Sequence, residues 1–193
     1  IFIASNWILS GKLKDNIEIK KYADYSRKAL EKSLRELFLN DGSFSQHSCN
    51  YHRFVLDTII QVEFWRRVLN LDPFSKTFYK IVYSAIDWLK SFIDPISGEV
   101  PNLGSNDGTY CFGLNNEPYN DFRPTLSLAS LIFKKKLIFN IKKINEPLFW
   151  MNLKLDIEKD NEELPKIKIL NQGGYALLRP ENYCLGLLRL PKY

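Results

Sequence analysis

The spacing of apolar residues changes once along this chain, and that change constrains the fold more than any other feature of the sequence. Up to Phe139 the apolar residues recur every three or four positions with charged residues between them, which is typical of amphipathic helices. The spacing predicts helices at Ile1–Leu9, Ile17–Leu39, Asn50–Leu71, Phe74–Ile93 and Thr125–Phe139. Because only Asp72 and Pro73 separate the third predicted helix from the fourth, we expect those two helices to be antiparallel.

Beyond Phe139 the helical spacing is lost. Asn145–Pro165 is charged and irregular, so we expect a connector there. From Ile167 onward the pattern becomes that of short strands joined by turns, with predicted antiparallel strands at Ile167–Leu170, Tyr175–Arg179 and Tyr183–Leu190. We therefore expect a mainly α chain, with a helical part at residues 1–145, a connector at 146–165 and the beginning of a β-domain at 166–193.

The charge of the chain favours some partners over others. A net charge of +5 and a pI of about 9.0 mildly favour an anionic partner, but they are too small to indicate a nucleic-acid-binding protein. The tight basic run Lys134–Lys136 is interpreted as a solvated helix face. No apolar stretch is long enough to predict a membrane span.

The three cysteines, Cys49, Cys111 and Cys184, lie far apart in the sequence. They form no CxxC or Cys/His metal spacing, so the sequence predicts neither a disulfide framework nor a metal or cofactor site. The chain starts inside an apolar run at Ile1 and stops in a strand-like pattern at Tyr193. We therefore expect a fragment of a longer protein, cut at both ends, in which any targeting information of that protein would be missing; the sequence predicts no particular oligomeric state.

The densest group of polar residues that could bind a ligand or transfer a proton lies between Asp41 and Arg53, and it includes both histidines of the chain. This loop precedes the third predicted helix, so its side chains would lie at a helix N-terminus, where anions are stabilised and protons can be transferred. The alternative is a helix cap with exposed polar residues. The candidates for binding or catalysis are Gln46, His47, Asn50, Tyr51, His52 and Arg53.

A second polar loop runs from Val100 to Pro124 and contains Asn106 and Asp107. Loops of this length are often functional. Since the third and fourth helices are expected to be antiparallel, this loop should emerge at the end of the helices where Tyr51 lies. Arg123, at the end of the loop, is a candidate for pairing with a substrate carboxylate or with Asp121 or Asp107.

Three segments, Asp41–Arg53, Pro101–Gly108 and Asp121–Thr125, together resemble the heparinase II/III-like family of polysaccharide lyases. The resemblance implies an incomplete α/α toroid followed by the start of an antiparallel β-sandwich. It also implies a bacterial protein, in a periplasmic or envelope context, that acts on an acidic polysaccharide. Metal sites known in some members would lie in a β-domain beyond Tyr193.

The reaction that the resemblance implies is β-elimination at a uronic acid, in which a base removes the proton on C5 and an acid protonates the leaving oxygen on C4. Tyr51, followed by His52 at a helix start, matches the position of the family's tyrosine. The family's neutralising Asn or His would lie before Ile1, and its β-domain His after Tyr193. Tyr51 would act as the acid, and also as a base if cations such as His52 or Arg53 lowered its pKa.

The roles of the other candidates remain open. Gln46, His47 and Asn50, together with Asn106 and Asp107, either bind sugar hydroxyls or brace their loops. Two further functions stay possible: a non-catalytic carbohydrate-binding or scaffold protein, and a glycoside hydrolase that uses Asp41 and Asp107 as its two carboxylates.

Overall fold

A computed structural model of the chain describes residues 1–13, 16–111, 113, 115–139, 145–152, 158–159, 164–179 and 185–190. The elements in chain order are α1 (Phe2–Lys12), α2 (Ile17–Leu37), α3 (Cys49–Val68), α4 (Lys76–Phe92), α5 (Arg123–Lys134), β1 (Lys136–Leu137), α6 (Asn145–Trp150), β2 (Glu158–Lys159), β3 (Ile167–Leu170), β4 (Tyr175–Leu178) and β5 (Gly186–Arg189). The described residues are thus mainly helical, with a small three-stranded antiparallel sheet near the end of the chain. This confirms the prediction that helices are followed by antiparallel strands.

Side-chain caps explain where the longer helices begin. Asn16 accepts hydrogen bonds from the backbone of Glu18 and Ile19 at the start of α2. Ser48 and Ser75 cap α3 and α4 in the same way, by accepting from the N–H groups of Tyr51 and Phe78. Each cap satisfies a backbone donor that the first helical turn leaves without a partner.

Helix α5 lies at the centre of the helical part. Every residue from Pro124 to Phe133 is buried, and α5 contacts both α3 and α4. Helix α4 places one apolar face in this core, where Trp88 and Phe92 are almost completely buried. This packing holds the first turn of α3 and the loop after α4 at fixed positions.

The prediction that the fifth helix continues to Phe139 is wrong. Lys135 adopts a left-handed conformation, with φ of 58°, and its N–H closes the last helical turn on Leu131 and Ser130. Residues Lys136 and Leu137 then form a strand that pairs in parallel with β2. The predicted connector is also more ordered than expected, because it contains α6 and β2; some of its residues lie outside the described part of the chain.

The sheet has the order β3-β4-β5 and is antiparallel throughout. This confirms the predicted meander, although the third strand is shorter than expected: β5 begins at Gly186, and Tyr183 and Cys184 lie outside the described residues. The central strand β4 packs Tyr175 against Trp88 and Phe92 of α4. The sheet is therefore fixed to the helical core through one aromatic cluster.

Hydrogen bonds also tie the sheet to the loop before α3. The Asp41 carboxylate accepts from the backbone N–H groups of Gln172 and Gly173, at 2.8 and 3.0 Å, in the turn between β3 and β4. In return, the Gln172 side chain accepts from the backbone of Asn40. The loop that carries the candidate residues is thus held between α4 and the sheet.

Among the helices of the described residues, none combines the length and the apolar character that a membrane span requires.

Candidate functional site

The two polar loops meet at the first turn of α3. The Ser48 hydroxyl, besides capping the helix, donates a hydrogen bond of 2.6 Å to the carbonyl oxygen of Ser105. The backbone N–H of Cys49 donates to the carbonyl oxygen of Leu103. The prediction that the second loop would emerge beside Tyr51 is therefore confirmed.

The Tyr51 hydroxyl donates a hydrogen bond of 2.8 Å to Oδ2 of Asp107. The other oxygen of Asp107 accepts from the backbone N–H of Thr109, which fixes the orientation of the carboxylate. Hydrogen bonds from Thr109 and then Tyr51 lower the pKa of Asp107 to about 2. The hydrogen bond and negative charge of Asp107 in turn raise the pKa of Tyr51. At neutral pH the pair therefore consists of a neutral phenol and a carboxylate.

The expectation that His52 and Arg53 would lower the pKa of Tyr51 is wrong, because neither side chain faces the phenol. His52 is fully buried, with its ring stacked on Trp88 and its Nε2 3.3 Å from the carbonyl oxygen of Gly42. Burial lowers the pKa of His52 to about 3, so the imidazole is uncharged at neutral pH. His52 has no exposed surface that could contact a substrate, and its position is that of a core residue.

Arg53 is also fully buried, and its side chain packs against the inner side of the second loop. Its guanidinium donates to the carbonyl oxygen of Tyr119 and to Oδ1 of Asn50, at 2.5 and 3.0 Å. The same group lies over the rings of Tyr110, Tyr119 and Phe122, within 4.6 Å of each centroid. A cation enclosed by aromatic rings and hydrogen-bonded on two sides is a structural support, so Arg53 is not positioned to bind substrate.

Tyr119 connects the two loops, and the sequence analysis missed it. Its hydroxyl lies 2.7 Å from Oδ1 of Asn50 and 2.5 Å from Oδ1 of Asn106, and it can donate to one of them at a time. The Asn106 amide also donates to Oδ1 of Asn102. The one sequence feature that could have identified Tyr119 is its place in the second loop, two residues before Asp121.

A cavity of about 290 Å³ opens beside these amides. Its walls include Asn50, Asn102, Asn106 and Tyr119, with Pro101 and Phe122 as apolar surface. The Nδ2 donor of Asn50 is buried and has no hydrogen-bond partner in the described structure. The lining also includes the carboxylate of Glu99 and the amide of Asn120. Amide, phenol and carboxylate groups beside apolar surface are suited to binding a neutral polar group such as a sugar hydroxyl.

The remaining candidates are held in structural contacts or lie at the surface. Arg123 pairs with Asp121 at 2.6 Å and donates to the carbonyl oxygen of Ile96, which confirms the alternative in which it pairs with Asp121. His47 has a left-handed backbone, with φ of 54°, and its Nδ1 lies 3.0 Å from the Tyr175 hydroxyl of the sheet. Gln46 is exposed on the same loop.

The site therefore reduces to an accessible Tyr51–Asp107 pair with a small amide-lined cavity nearby. Within the described residues, no group of three or more His, Cys, Asp or Glu side chains could hold a metal ion.

Comparison of this chain with protein-family models, curated proteins and solved structures found no match.

Proposed function

We propose that this chain is part of a polysaccharide lyase that cleaves a uronic-acid-containing polysaccharide by β-elimination, with Tyr51 as the proton donor. The observation that carries the proposal is the hydrogen bond between the Tyr51 hydroxyl and Asp107, at the point where two polar loops meet. In this proposal the helices form an arc of an α/α toroid, and the strands begin a β-sandwich.

The raised pKa of Tyr51 favours the role of acid over that of base. A general acid must carry its proton before the reaction, and Asp107 keeps the phenol neutral. A tyrosinate base would need a cation beside the hydroxyl, whereas Arg53 and His52 are buried elsewhere. Tyr51 would turn its proton from Asp107 to the oxygen leaving C4, and the C5 proton would be removed by another group. The resemblance assigns that base, and the group that neutralises the uronate, to segments outside these residues.

Asp107 has a positioning role in this proposal. Its carboxylate orients the phenol through one oxygen while Thr109 anchors the other. A negative charge so close to Tyr51 would repel the substrate carboxylate, which favours binding with the uronate group directed away from Asp107. The amide-lined cavity beside Asn50 and Asn106 would then receive sugar hydroxyls rather than charged groups.

The test is an elimination assay on a complete protein that contains this chain. The ultraviolet absorbance of the unsaturated uronate product would be followed on heparan-type, alginate and bacterial capsular polysaccharides. Tyr51→Phe should lose at least about a hundred-fold in kcat, the usual contribution of a general acid. Tyr25→Phe, which removes a hydroxyl from an exposed tyrosine on α2, should leave kcat unchanged. Full activity in a folded Tyr51→Phe variant would refute the assignment.

A binding protein without catalysis is the second candidate function, and the amide-lined cavity favours it. Saccharide binding without elimination on any uronate polymer would support this alternative. The glycoside hydrolase alternative has less support. The Asp41 carboxylate accepts from the backbone of Ser43, Gln172 and Gly173, so it is engaged as a structural acceptor rather than as a partner for Asp107.

A further inference from the structure

The buried amide of Asn50 has one polar atom left for an occupant of the amide-lined cavity. Its Oδ1 already accepts from the Arg53 guanidinium at 3.0 Å and lies 2.7 Å from the Tyr119 hydroxyl. Asn50 is only 2% exposed, and its Nδ2 donor has no hydrogen-bond partner within the described part of the chain. Because a buried donor without an acceptor is unfavourable, this position favours a ligand that brings an acceptor.

A carbonyl oxygen suits this donor better than a hydroxyl does. A carbonyl only accepts, whereas a hydroxyl that accepts from Nδ2 also carries a proton that needs an acceptor of its own. The neighbouring amide oxygens are already engaged: Oδ1 of Asn102 accepts from the Asn106 amide, and Oδ1 of Asn106 lies 2.5 Å from the Tyr119 hydroxyl. This side of the cavity therefore selects for a group that accepts without donating.

Apolar surface lies in the same cavity. Val100, Pro101, Leu103 and Phe122 contribute to its lining. A methyl group that contacts this surface is removed from water at a gain in free energy, whereas a hydroxyl placed there would lose its hydration without a partner. The volume of about 290 Å³ lies at the lower end of the range for small-molecule sites, which suits one substituent of a sugar and part of its ring.

The carboxylate of Glu99 limits the charge that an occupant can carry. Glu99 lines the cavity and accepts a hydrogen bond from the Asn120 amide. A second negative charge beside it would be repelled, while a neutral N–H group could donate to it. An acidic substituent such as an N-sulfo group is therefore disfavoured, and an uncharged secondary amide is favoured.

We propose that this cavity binds the N-acetyl group of an amino sugar. The acetyl oxygen accepts from Nδ2 of Asn50, the methyl group packs on the apolar surface, and the amide N–H faces Glu99. Asn50 and Asn106 are the sequence neighbours of Tyr51 and Asp107, so the acetylated sugar would lie next to the uronate in the polysaccharide. This last assignment, to the substrate, rests on the proposed function; the binding itself does not.

The test is saturation-transfer NMR of the 193-residue chain with the methyl glycosides of N-acetylglucosamine and N-acetylgalactosamine. The acetyl methyl protons should receive the strongest saturation, because the protein encloses them. Dissociation constants from the concentration dependence should show that one or both of these sugars binds about ten-fold or more tightly than the methyl glycosides of glucose and N-sulfoglucosamine. The proposal is overturned if neither N-acetyl sugar binds, or if neither binds more tightly than glucose.

Variants assign the binding to the cavity. Asn50→Asp keeps the oxygen that accepts from Arg53 and Tyr119 but replaces the Nδ2 donor by an acceptor, so it should weaken binding about ten-fold or more. Asn70→Asp makes the same change at an exposed position beyond the other end of α3, and it should leave the affinity within about two-fold of the wild type. Val100→Thr places a hydroxyl in the apolar surface and should weaken binding about three-fold. Circular dichroism verifies that each variant is folded. Equal affinities in folded Asn50→Asp and Asn70→Asp, or in Val100→Thr and the wild type, would place the sugar elsewhere.

The outcome can be separated from that of the elimination assay. Binding of an N-acetyl sugar without elimination on any uronate polymer would retain this inference and refute the lyase. Elimination on a uronate polymer, with no N-acetyl sugar bound, would retain the lyase and refute this inference.

Discussion

The imidazole of His52 lies against the indole of Trp88, with ring centroids 4.5 Å apart and planes only 16° from parallel. Both side chains are buried, and the edges of Phe38 and Phe44 close the imidazole from two further sides. His52 is therefore an uncharged member of an aromatic core directly below the residue that we propose as the proton donor. The first turn of α3 is held by packing on its inner side and by the second loop on its outer side.

This stacking predicts how stability depends on pH. The unfolded chain binds a proton at the ordinary histidine pKa of about 6.5, whereas folded His52 binds one only near pH 3. As pH falls from 6.5 to 4.5, the unfolded state takes up the proton first, so the free energy of unfolding should fall by roughly 1 kcal/mol per pH unit because of His52. Urea unfolding at several pH values measures this slope.

The variants for that measurement are His52→Gln, which retains a donor for Gly42, and His47→Gln. The first should reduce the slope by roughly half or more. The second should reduce it less, because His47 is only half-buried, although burial lowers its pKa as well. The same slope in wild type and His52→Gln would contradict the burial of an uncharged imidazole.

Replacing Gly42 or Gly108 by alanine should destabilise the protein to different degrees. Both have positive φ, but a Cβ on Gly42 would lie 2.0 Å from the carbonyl oxygen of Ser84, whereas a Cβ on Gly108 would meet open space. Gly42→Ala should destabilise the protein by about 2–4 kcal/mol, and Gly108→Ala by about 1 kcal/mol. Thermal unfolding with matched protein concentrations compares them; equal losses would disprove the close packing of the first loop on α4.

Removing the charge of Asp107 should lower the pKa of Tyr51. In Asp107→Asn the phenolate no longer faces a carboxylate, so the pKa of Tyr51 should fall towards its ordinary value of about 10. Titration of the Tyr51 ring by carbon NMR, with Tyr51→Phe to assign the signal, measures the change. Asp72→Asn, at an exposed position, is the control and should leave the signal unchanged. An unchanged pKa in Asp107→Asn would show that the two residues do not interact in solution.

The Tyr119 hydroxyl should stabilise the junction of the two loops. Tyr119→Phe keeps the ring that covers Arg53 but loses the hydroxyl that donates to Asn50 or to Asn106, so it should cost about 1 kcal/mol of the free energy of unfolding. Tyr22→Phe on α2 removes an exposed hydroxyl and should cost almost nothing. Amide hydrogen exchange in residues 102–109 should also rise in Tyr119→Phe alone. Equal stability of both variants would indicate that Tyr119 does not hold the loops together.

Sequence reasoning found the elements that rest on local patterns. The apolar spacing located the five longer helices. The short break between the third and fourth helices predicted that the loop carrying Asp107 would emerge at the end where Tyr51 lies. Sequence reasoning failed at Lys135, where a left-handed residue ends α5, because lysine has no strong local preference for that conformation. It also failed to predict the pairing of β1 with β2, since a two-residue strand carries no periodic pattern and depends on a distant partner.

For the candidate site residues, too, the sequence predicted position in the chain but not burial. The polar segment from Gln46 to Arg53 could be recognised because the sequence concentrates polar side chains at a helix start. The sequence could not separate Tyr51, which reaches the surface, from His52 and Arg53, which point inward. Helix α3 is packed on more than one face, so its periodicity does not reveal which polar side chains are buried.

The sequence by itself therefore determined the order of the five longer helices and of the three strands of the antiparallel sheet, the positions of the two polar loops and the end of the helices at which they meet. These features depend on residue spacing and chain length, which act locally. Only the tertiary structure decided which polar groups became core supports and which formed the Tyr51–Asp107 pair. Those outcomes depend on burial and on contacts between residues far apart in the chain, where desolvation and neighbouring charges set the properties of each group.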